Sequence, residues 1–273
     1  MLQRSKSFSS IAFLFLIGLT TACKMQQKVT GADLEAPVIL KGPAWAAAWQ
    51  QKAGEYKALC YQAYNLAQMR LDILLQQRYS KPVAVVTDID ETVLDNSPYQ
   101  VHQALHNEEY SDSSWMEWTA RVDCDTVPGA LSFFRYAKSR GVAVFYITNR
   151  LEKERVPTLQ DLQRWSFPDA TDDHLTMKTT VSGKELRRKK VADNYEILLL
   201  VGDNLSDFSA VFDKKPLAER NEMTKNNAAM FGKKFIVLPN AMYGDWEGAI
   251  HQYQYNISPK EKEKIMMQVL KKY

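Results

Sequence analysis

Four short runs of apolar, mostly β-branched or aromatic residues restrict the fold of this chain more than any other feature. Helical stretches separate these runs, which lie at residues 83–86, 142–147, 197–201 and 235–238. Strands that alternate with helices pair in parallel, because a parallel connection needs a crossover of a dozen residues or more. The pattern therefore predicts an α/β fold with a doubly wound parallel sheet that carries helices on both faces.

Two further stretches complete the predicted outline. Apolar residues recur at steps of three and four after Gly42 and Pro43, and they predict one long amphipathic helix that ends near Arg78. A second helix is predicted over residues 128–140, since proline stands at its start and glycine just past its end. Residues 96–127 carry no strand pattern, so we expect them to form a small, mainly helical cap over one edge of the sheet.

The composition supports a folded domain and excludes several classes of function. With 273 residues, 45% of them hydrophobic, the chain can build a sizeable core. The 35 basic residues against 32 acidic ones leave a net charge of only +3, so a nucleic-acid polymer is not an expected partner. The sequence has neither a zinc-binding spacing nor a glycine-rich phosphate loop.

The N-terminal residues have the three-part layout of an export signal. Arg4 and Lys6 precede nine apolar residues, too few to cross a bilayer core that needs about 20 in a helix. Cys23 follows three small residues and resembles the lipidated cysteine of a bacterial lipoprotein, although Thr20 stands where such sites usually carry leucine. Cleavage without lipidation is the alternative. The predicted organisation is a signal peptide (1–22), a lipidated cysteine and tether (23–41) and one domain (42–273).

Polar residues follow three of the predicted strands where each ends. These segments are residues 88–93, 148–150 and 202–208. Because ligands bind beyond the carboxyl ends of parallel strands, we expect Asp88, Asp90 and Asp203 to share one pocket. Three carboxylates in one pocket need a counter-charge, and a hard divalent cation, Mg²⁺ by preference, suits their oxygens. Asp123 and Asp125 repeat the spacing without a preceding strand, so we interpret them as part of a solvated loop.

The order of these motifs resembles the four-aspartate phosphatases of the haloacid dehalogenase (HAD) superfamily. The shared pattern is DxDxTV after a strand, a threonine after the second strand, a lysine, and GDNxxDF after a later strand. The export signal, the long leading helix and the stretches DIDETVLDNSPY (88–99) and LPNAMYGDWEG (238–248) resemble class C acid phosphatases, the bacterial outer-membrane lipoprotein type. The resemblance implies a HAD-like Rossmannoid core and an exported, lipid-anchored phosphomonoesterase of the cell envelope, in the outer membrane.

The resemblance also implies roles for individual residues. Asp88 would be the nucleophile that forms an aspartyl phosphate, and Asp90 would protonate the leaving oxygen and then activate water. Thr148 and Lys184 would stabilise charge on the transferring phosphoryl oxygens. The residues implied for Mg²⁺ are Asp88, the backbone carbonyl of Asp90 and Asp203, with Asp207 orienting the ligands of the metal.

Contacts to the leaving group are expected from the cap and from a late loop. Trp115 and Tyr243 could stack on a flat group such as a nucleoside base or a phenyl ring, and packing within the cap is the alternative for both. Recognition by stacking would accept many small phosphomonoesters, including nucleoside monophosphates and aryl phosphates.

Several assignments stay open at this stage. Lys178 is the alternative to Lys184, and Arg150 would either bind phosphate or form a surface ion pair. His102 and His106 are interpreted as a solvated helix face, and Cys60 and Cys124 as buried thiols, with a disulfide as the alternative. The alternative functions are a dehalogenase or phosphotransferase of the same superfamily, or a surface lipoprotein that only binds its ligand. The sequence does not fix the oligomeric state.

Overall fold

The computed structural model describes residues 38–273, in which helices and strands alternate after two leading helices. The helices are α1 (Val38–Lys52), α2 (Gly54–Leu74), α3 (Ser97–His106), α4 (Asp112–Thr119), α5 (Ala130–Ser139), α6 (Arg155–Arg164), α7 (Glu185–Asn194), α8 (Leu217–Asn226), α9 (Asp245–Ile250) and α10 (Pro259–Val269). The strands are β1 (Val83–Thr87), β2 (Leu94–Asp95), β3 (Asp125–Thr126), β4 (Ala143–Leu151), β5 (Leu175–Lys178), β6 (Glu196–Gly202) and β7 (Phe235–Val237).

Five parallel strands form the main sheet in the order β5-β4-β1-β6-β7. The first strand in the chain lies at the centre, and every residue of β1 after Val83 is buried. A strand that is covered on both faces reads as a continuous apolar run, which is why its sequence stood out. The predicted doubly wound parallel fold is confirmed.

Side chains of the central strands alternate between two apolar clusters, one on each face of the sheet. Val85 and Val144 point to the cluster that α2, α5 and α6 cover. Val86 and Phe145 point to the opposite cluster, which α7 and α8 help to cover. This alternation, with helices on both faces, buries the sheet and leaves the ends of its strands to carry the polar residues.

The sheet has one strand more than the four apolar runs predicted. β5 lies at the edge beside β4, and its burial alternates, with Leu175 and Met177 buried and Thr176 and Lys178 partly exposed. A four-residue edge strand that alternates in this way gives a much weaker sequence signal than a fully buried run.

The prediction of one long leading helix was wrong. Two helices replace it, because the backbone of Ala53 is extended (φ −79°, ψ 132°) and interrupts the helical path before Gly54. Pro43 lies inside α1 instead of marking the helix entry, and α2 ends at Leu74, short of Arg78. The two helices have different packing partners, since α2 packs on the sheet and α1 packs on α3 of the cap.

The cap over residues 96–127 is mainly helical, as expected, and consists of α3 and α4. It also includes a strand, which the sequence analysis did not predict: β3 pairs antiparallel with β2, opposing Leu94 to Thr126 and Asp95 to Asp125. This two-residue ribbon joins the cap to the segment that follows Asp90.

Two smaller findings concern the cysteines and the length of the helices. Cys60 and Cys124 are buried, free thiols, so the disulfide alternative does not hold. Within residues 38–273, no helix combines the length and the apolar character that a membrane crossing requires.

Candidate active site

The carboxyl ends of β1, β4 and β6 meet at one edge of the sheet, and the predicted polar residues lie there. The backbone N–H of Asp88 donates to the carbonyl of Val201 at 2.9 Å, which extends the pairing with β6 one residue past Thr87. Asp203 directly follows the last residue of β6, and Thr148 lies inside β4. The structure therefore brings side chains from three distant parts of the sequence into one pocket.

Asp88 is buried against a lysine. Its side chain is hydrogen-bonded to Lys184, whose ammonium also contacts Asp207 at 2.7 Å. Burial raises the pKa of Asp88 to about 7, against the opposing charge of Lys184. Burial by itself lowers the pKa of Lys184, but the carboxylates of Asp207 and Asp88 outweigh it and raise that pKa above its usual value. The lysine is thus held in its charged form beside the aspartate.

The two candidate lysines differ in position. Lys184 is 4% exposed and stands directly before α7, where its backbone carbonyl accepts the N–H of Arg188. Lys178 ends the edge strand β5 and lines the same cavity at a partly exposed position. Only Lys184 contacts Asp88, which favours it for a role beside the reacting group.

Three carboxylates converge in a way that suits a divalent cation. Asp88, Asp203 and Asp207 each offer an oxygen, and these oxygens lie within 4.8 Å of one another. Asp203 accepts hydrogen bonds from neutral groups, Thr92 at 3.3 Å and Asn240 at 2.7 Å. Burial, and then the charges of Asp207 and Asp88, raise the pKa of Asp203 well above its usual value. The oxygen donors and the surplus of negative charge fit a hard divalent ion, which would replace protons on these groups.

Asp90 also lines the pocket and is bound by an arginine. Arg150 donates to it from Nη2 at 2.7 Å and from Nε at 3.0 Å, and Asn96 adds a bond at 2.9 Å. The hydroxyl of Thr148 is 3.4 Å from the same carboxylate and accepts the backbone N–H of Arg150 at 3.1 Å. Of the two alternatives for Arg150, the ion pair is present, but the arginine side chain is fully buried and not at the surface.

Glu91 connects the loop after β1 to the late loop that carries Tyr243. Its backbone is left-handed (φ 57°), a strained conformation for a residue with a side chain. The carboxyl accepts the backbone N–H of Asn96 at 2.7 Å and the hydroxyl of Tyr243. Burial, then the charges of Asp90 and Asp95, raise the pKa of Glu91 to about 8.

A cavity of about 620 Å³ opens from these groups toward the cap. Trp115 and Tyr243 both line it, with ring centroids 6.4 Å apart and planes inclined by 73°. Trp115 is 8% exposed and also meets Tyr99 edge-on at 5.0 Å, so it serves both as cap packing and as cavity wall. The aromatic lining continues with Tyr110 and Tyr255.

Sequence reasoning did not single out several residues that shape the site. Asn96, Glu91 and Asn240 were quoted only as letters within longer motifs, and their functions depend on partners distant in sequence. Asn96 is fully buried and bonds Asp90, Glu91 and Trp118. A buried asparagine amid polar loop residues was the only signal, and sequence alone does not reveal burial in a loop.

The weaker candidates lie away from this pocket. Asp123 and Asp125 are exposed, as expected for a solvated loop, although Asp125 belongs to β3. His102 and His106 are exposed on α3, where the ring of His106 bonds the backbone oxygen of His102 at 2.8 Å.

Comparison with known proteins places this architecture in a class. A crystal structure of the class C acid phosphatase from Bacillus anthracis with tungstate bound superposes with a TM-score of 0.83 at 41% identity, covering 86% of this chain and 98% of that one. A second structure of the same enzyme gives the same TM-score and identity and covers 99% of that chain. The fold and the acidic edge are those of HAD-type phosphatases.

The family follows from the sequence match. Residues 20–246 match the model of the HAD superfamily, subfamily IIIB (acid phosphatase), and the chain belongs to this family. Among curated relatives, acid phosphatase 1 of Solanum lycopersicum is 28% identical over 129 residues, 45% of this chain and 50% of that protein. The stem 31 kDa glycoprotein of Glycine max is 26% identical over 125 residues, 44% of this chain and 49% of that protein. The chain spans about half the length of these curated relatives.

The contact between Gly202 and Asp207 gives a test of the site geometry. A Cβ on Gly202 would collide with the carboxyl group and Cβ of Asp207, so Gly202→Ala should move Asp207 away from Lys184. We expect phosphatase activity to fall roughly 10- to 100-fold, because small displacements in an active site are costly. The matched control is Gly54→Ala, where an added Cβ meets nothing within 4 Å. Equal activity of the two variants, with both folded by circular dichroism, would show that the Asp207 position is unimportant.

Proposed function

We propose that this protein is a Mg²⁺-dependent phosphomonoesterase that acts through an aspartyl phosphate on Asp88. The observation that carries the proposal is the position of Asp88, buried at the sheet edge between Lys184 and the carboxylates of Asp203 and Asp207. A carboxylate needs no neighbouring base to become a nucleophile, and a paired ammonium beside it favours the approach of an anionic phosphoryl group. Membership of the acid phosphatase family supports the same reaction.

In the first step, an oxygen of Asp88 forms a bond to phosphorus while the bond from phosphorus to the leaving oxygen breaks. Asp90 gives its proton to that oxygen, so the alcohol departs neutral. In the second step, water attacks phosphorus, Asp90 takes the proton from the water, and the bond between phosphorus and Asp88 breaks. Inorganic phosphate is released, and both aspartates return to their starting state.

Lys184 and Thr148 would stabilise the transferring group. The Lys184 ammonium is fixed by Asp207 at 2.7 Å, and the Thr148 hydroxyl is free to turn from its 3.4 Å contact with Asp90 toward a phosphoryl oxygen. The oxygens of Asp88 and Asp203, with the backbone carbonyl of Asp90, would hold Mg²⁺, which supplies positive charge to the phosphoryl oxygens when bound. Asp207 would keep both Lys184 and the metal ligands in place.

The cavity supports small phosphomonoesters with flat leaving groups as substrates. Trp115 and Tyr243 provide aromatic surface at its wall. We therefore include aryl phosphates and nucleoside monophosphates. The tungstate in the Bacillus anthracis structure, a tetrahedral oxyanion shaped like phosphate, supports the binding of such an anion by this fold.

We also propose that the protein is exported and lipid-anchored at Cys23, in the outer membrane of a bacterial envelope. The support is the order of Arg4 and Lys6, the apolar run and the small residues before Cys23. Residues 1–37 lie outside the described part of the chain, so the proposals of a signal peptide (1–22) and a tether (23–41) rest mainly on sequence.

The nucleophile is tested by replacing Asp88 with asparagine. Asp88→Asn removes the attacking charge at nearly constant volume, so turnover of p-nitrophenyl phosphate should fall by about 10³-fold or more. Chelation of the metal should abolish wild-type activity, and added Mg²⁺ should restore it. The matched control is Asp123→Asn, the same change at the exposed aspartate of the second DxD, which should keep full activity. Retained turnover in Asp88→Asn would exclude the proposed mechanism.

Metal binding should depend on pH with a definite sign. The pKa of Asp88 is raised to about 7, so a proton must leave before its oxygen can bind a cation. The apparent affinity of the metal-free protein for Mg²⁺ should therefore weaken as pH falls from 8 to 5. Below that pKa, the affinity should fall roughly tenfold per pH unit for each proton that the metal displaces. Calorimetry in buffers of different ionisation enthalpy counts the protons released. An affinity that does not change with pH would contradict this protonation of the empty site.

The anchor is tested by labelling cells that express the full chain with radioactive palmitate. Cys23→Ser should remove the label and release the protein from the membrane fraction, because several acyl chains at about 0.8 kcal/mol per methylene provide the attachment. Cys60→Ser is the matched control, since that thiol is buried in the domain core and should leave labelling unchanged. Wild-type protein without label would favour cleavage without lipidation.

A further inference from the structure

Arg150 is a buried arginine whose donors are all directed at protein groups. Its side chain is fully buried, and its guanidinium meets Asp90 through Nη2 at 2.7 Å and through Nε at 3.0 Å and 3.3 Å. The third nitrogen, Nη1, donates to the hydroxyl of Thr158 at 3.2 Å. Nη2 and Nε both bond Oδ1 of Asp90, and Nε also lies 3.3 Å from Oδ2, so the guanidinium restrains the carboxylate at more points than a single lysine contact would.

Asn96 completes the support of the same carboxylate. Its amide nitrogen donates to Asp90 at 2.9 Å, and its amide oxygen accepts Arg150 at 3.4 Å and Trp118 Nε1 at 2.8 Å. Its backbone N–H is bonded to Glu91 at 2.7 Å. Asn96 therefore cannot turn without breaking several buried hydrogen bonds, and each broken one leaves an unsatisfied polar group.

The arrangement separates Arg150 from the groups placed beside the phosphoryl oxygens. Lys184 contacts Asp88, whereas Arg150 contacts Asp90. With all three nitrogens engaged by Asp90, Thr158 and Asn96, the guanidinium has no nitrogen left without a protein acceptor. Arg150 also lines the cavity, but its nitrogens are directed at these protein groups.

We propose that Arg150, backed by Asn96, is a positioning residue that holds the Asp90 carboxyl group for proton transfer to the leaving oxygen. The inference rests on the proposed function. Proton transfer needs the two oxygens about 2.6 to 3.2 Å apart, so a carboxyl group that is free to rotate is a poorer acid. An alcohol leaves only if the oxygen receives this proton as its bond to phosphorus breaks, whereas an acidic phenol leaves as an anion. Arg150 thereby decides which leaving groups the enzyme accepts.

The test compares two substrates in Arg150→Met. With n-butyl phosphate, whose leaving group needs a proton, kcat should fall by about 10²- to 10³-fold, within the range that general acid catalysis contributes. With 2,4-dinitrophenyl phosphate, the single-turnover release of dinitrophenolate should slow by less than about fivefold, because only the later hydrolysis of the aspartyl phosphate needs Asp90 there, and inhibition by inorganic phosphate should be unaltered. Arg150→Lys keeps the charge without the two-point contact and should recover only part of the loss. Arg121→Met, the same change at an exposed arginine, is the control and should leave both rates unchanged.

A second measurement keeps the inference testable if Arg150→Met does not fold. Thr158→Val removes the acceptor of Nη1 and leaves the contact with Asp90, so it should give the same selective loss at smaller size. In an Asp90→Asn background, Arg150→Lys should not change turnover of n-butyl phosphate further, because the amide that replaces the carboxyl group has no acidic proton to transfer.

The outcomes distinguish this inference from the proposed function. Equal losses in the release of both leaving groups, with weaker phosphate inhibition, would make Arg150 a phosphate ligand and overturn the inference. Unchanged rates in a folded Arg150→Lys protein and in Thr158→Val would also overturn it. Either result leaves intact a wild-type activity that depends on Asp88. A wild-type protein inactive toward every monoester would instead overturn the proposed function.

Discussion

The confinement of carboxylates at the carboxyl edge of one buried sheet is the constraint on which the site depends. Asp88, Asp203 and Asp207 offer oxygens within 4.8 Å of one another, and Asp88 and Asp207 are buried while Asp203 is partly buried. Burial of unpaired charge is costly, so each carboxylate needs a cation, a hydrogen bond or a proton. Lys184 satisfies two of them, and Asp203 is left with neutral donors, which is why a divalent ion suits the remaining position.

The two aspartates that follow β1 are paired with different cations, and both cations line the cavity. Beside Asp88, the countercharge is a lysine, whose ammonium can act on a ligand. Beside Asp90, the countercharge is a buried arginine whose geometry fixes the carboxylate. The compact ammonium of lysine suits the aspartate that must accept a phosphoryl group. The planar guanidinium of arginine suits the aspartate that must hold one orientation. The difference between lysine and arginine thus follows the difference between nucleophile and acid.

The parts of the protein that sequence could predict are those set by local pattern. β1, β4, β6 and β7 were visible because buried parallel strands read as apolar runs, and the residues after them could be located because parallel strands share one carboxyl edge. β5 was missed because it is a short edge strand, and the break at Ala53 was missed because apolar spacing continues across it. Arg150 and Asn96 were misjudged or overlooked for a different reason. Their roles depend on burial and on partners up to 60 positions away, as in the contact of Arg150 with Asp90, which no local pattern encodes.

The left-handed backbone of Glu91 has a consequence for the entropy of the reaction. A non-glycine residue at φ 57° costs about 1 to 2 kcal/mol relative to ordinary backbone, and it persists here because Asn96 and Tyr243 bind its carboxyl group. These hydrogen bonds restrain the loop that carries Asp90 before any ligand binds. The conformational freedom of that loop is lost once, when the chain folds, so the binding of each substrate molecule is not weakened by ordering it.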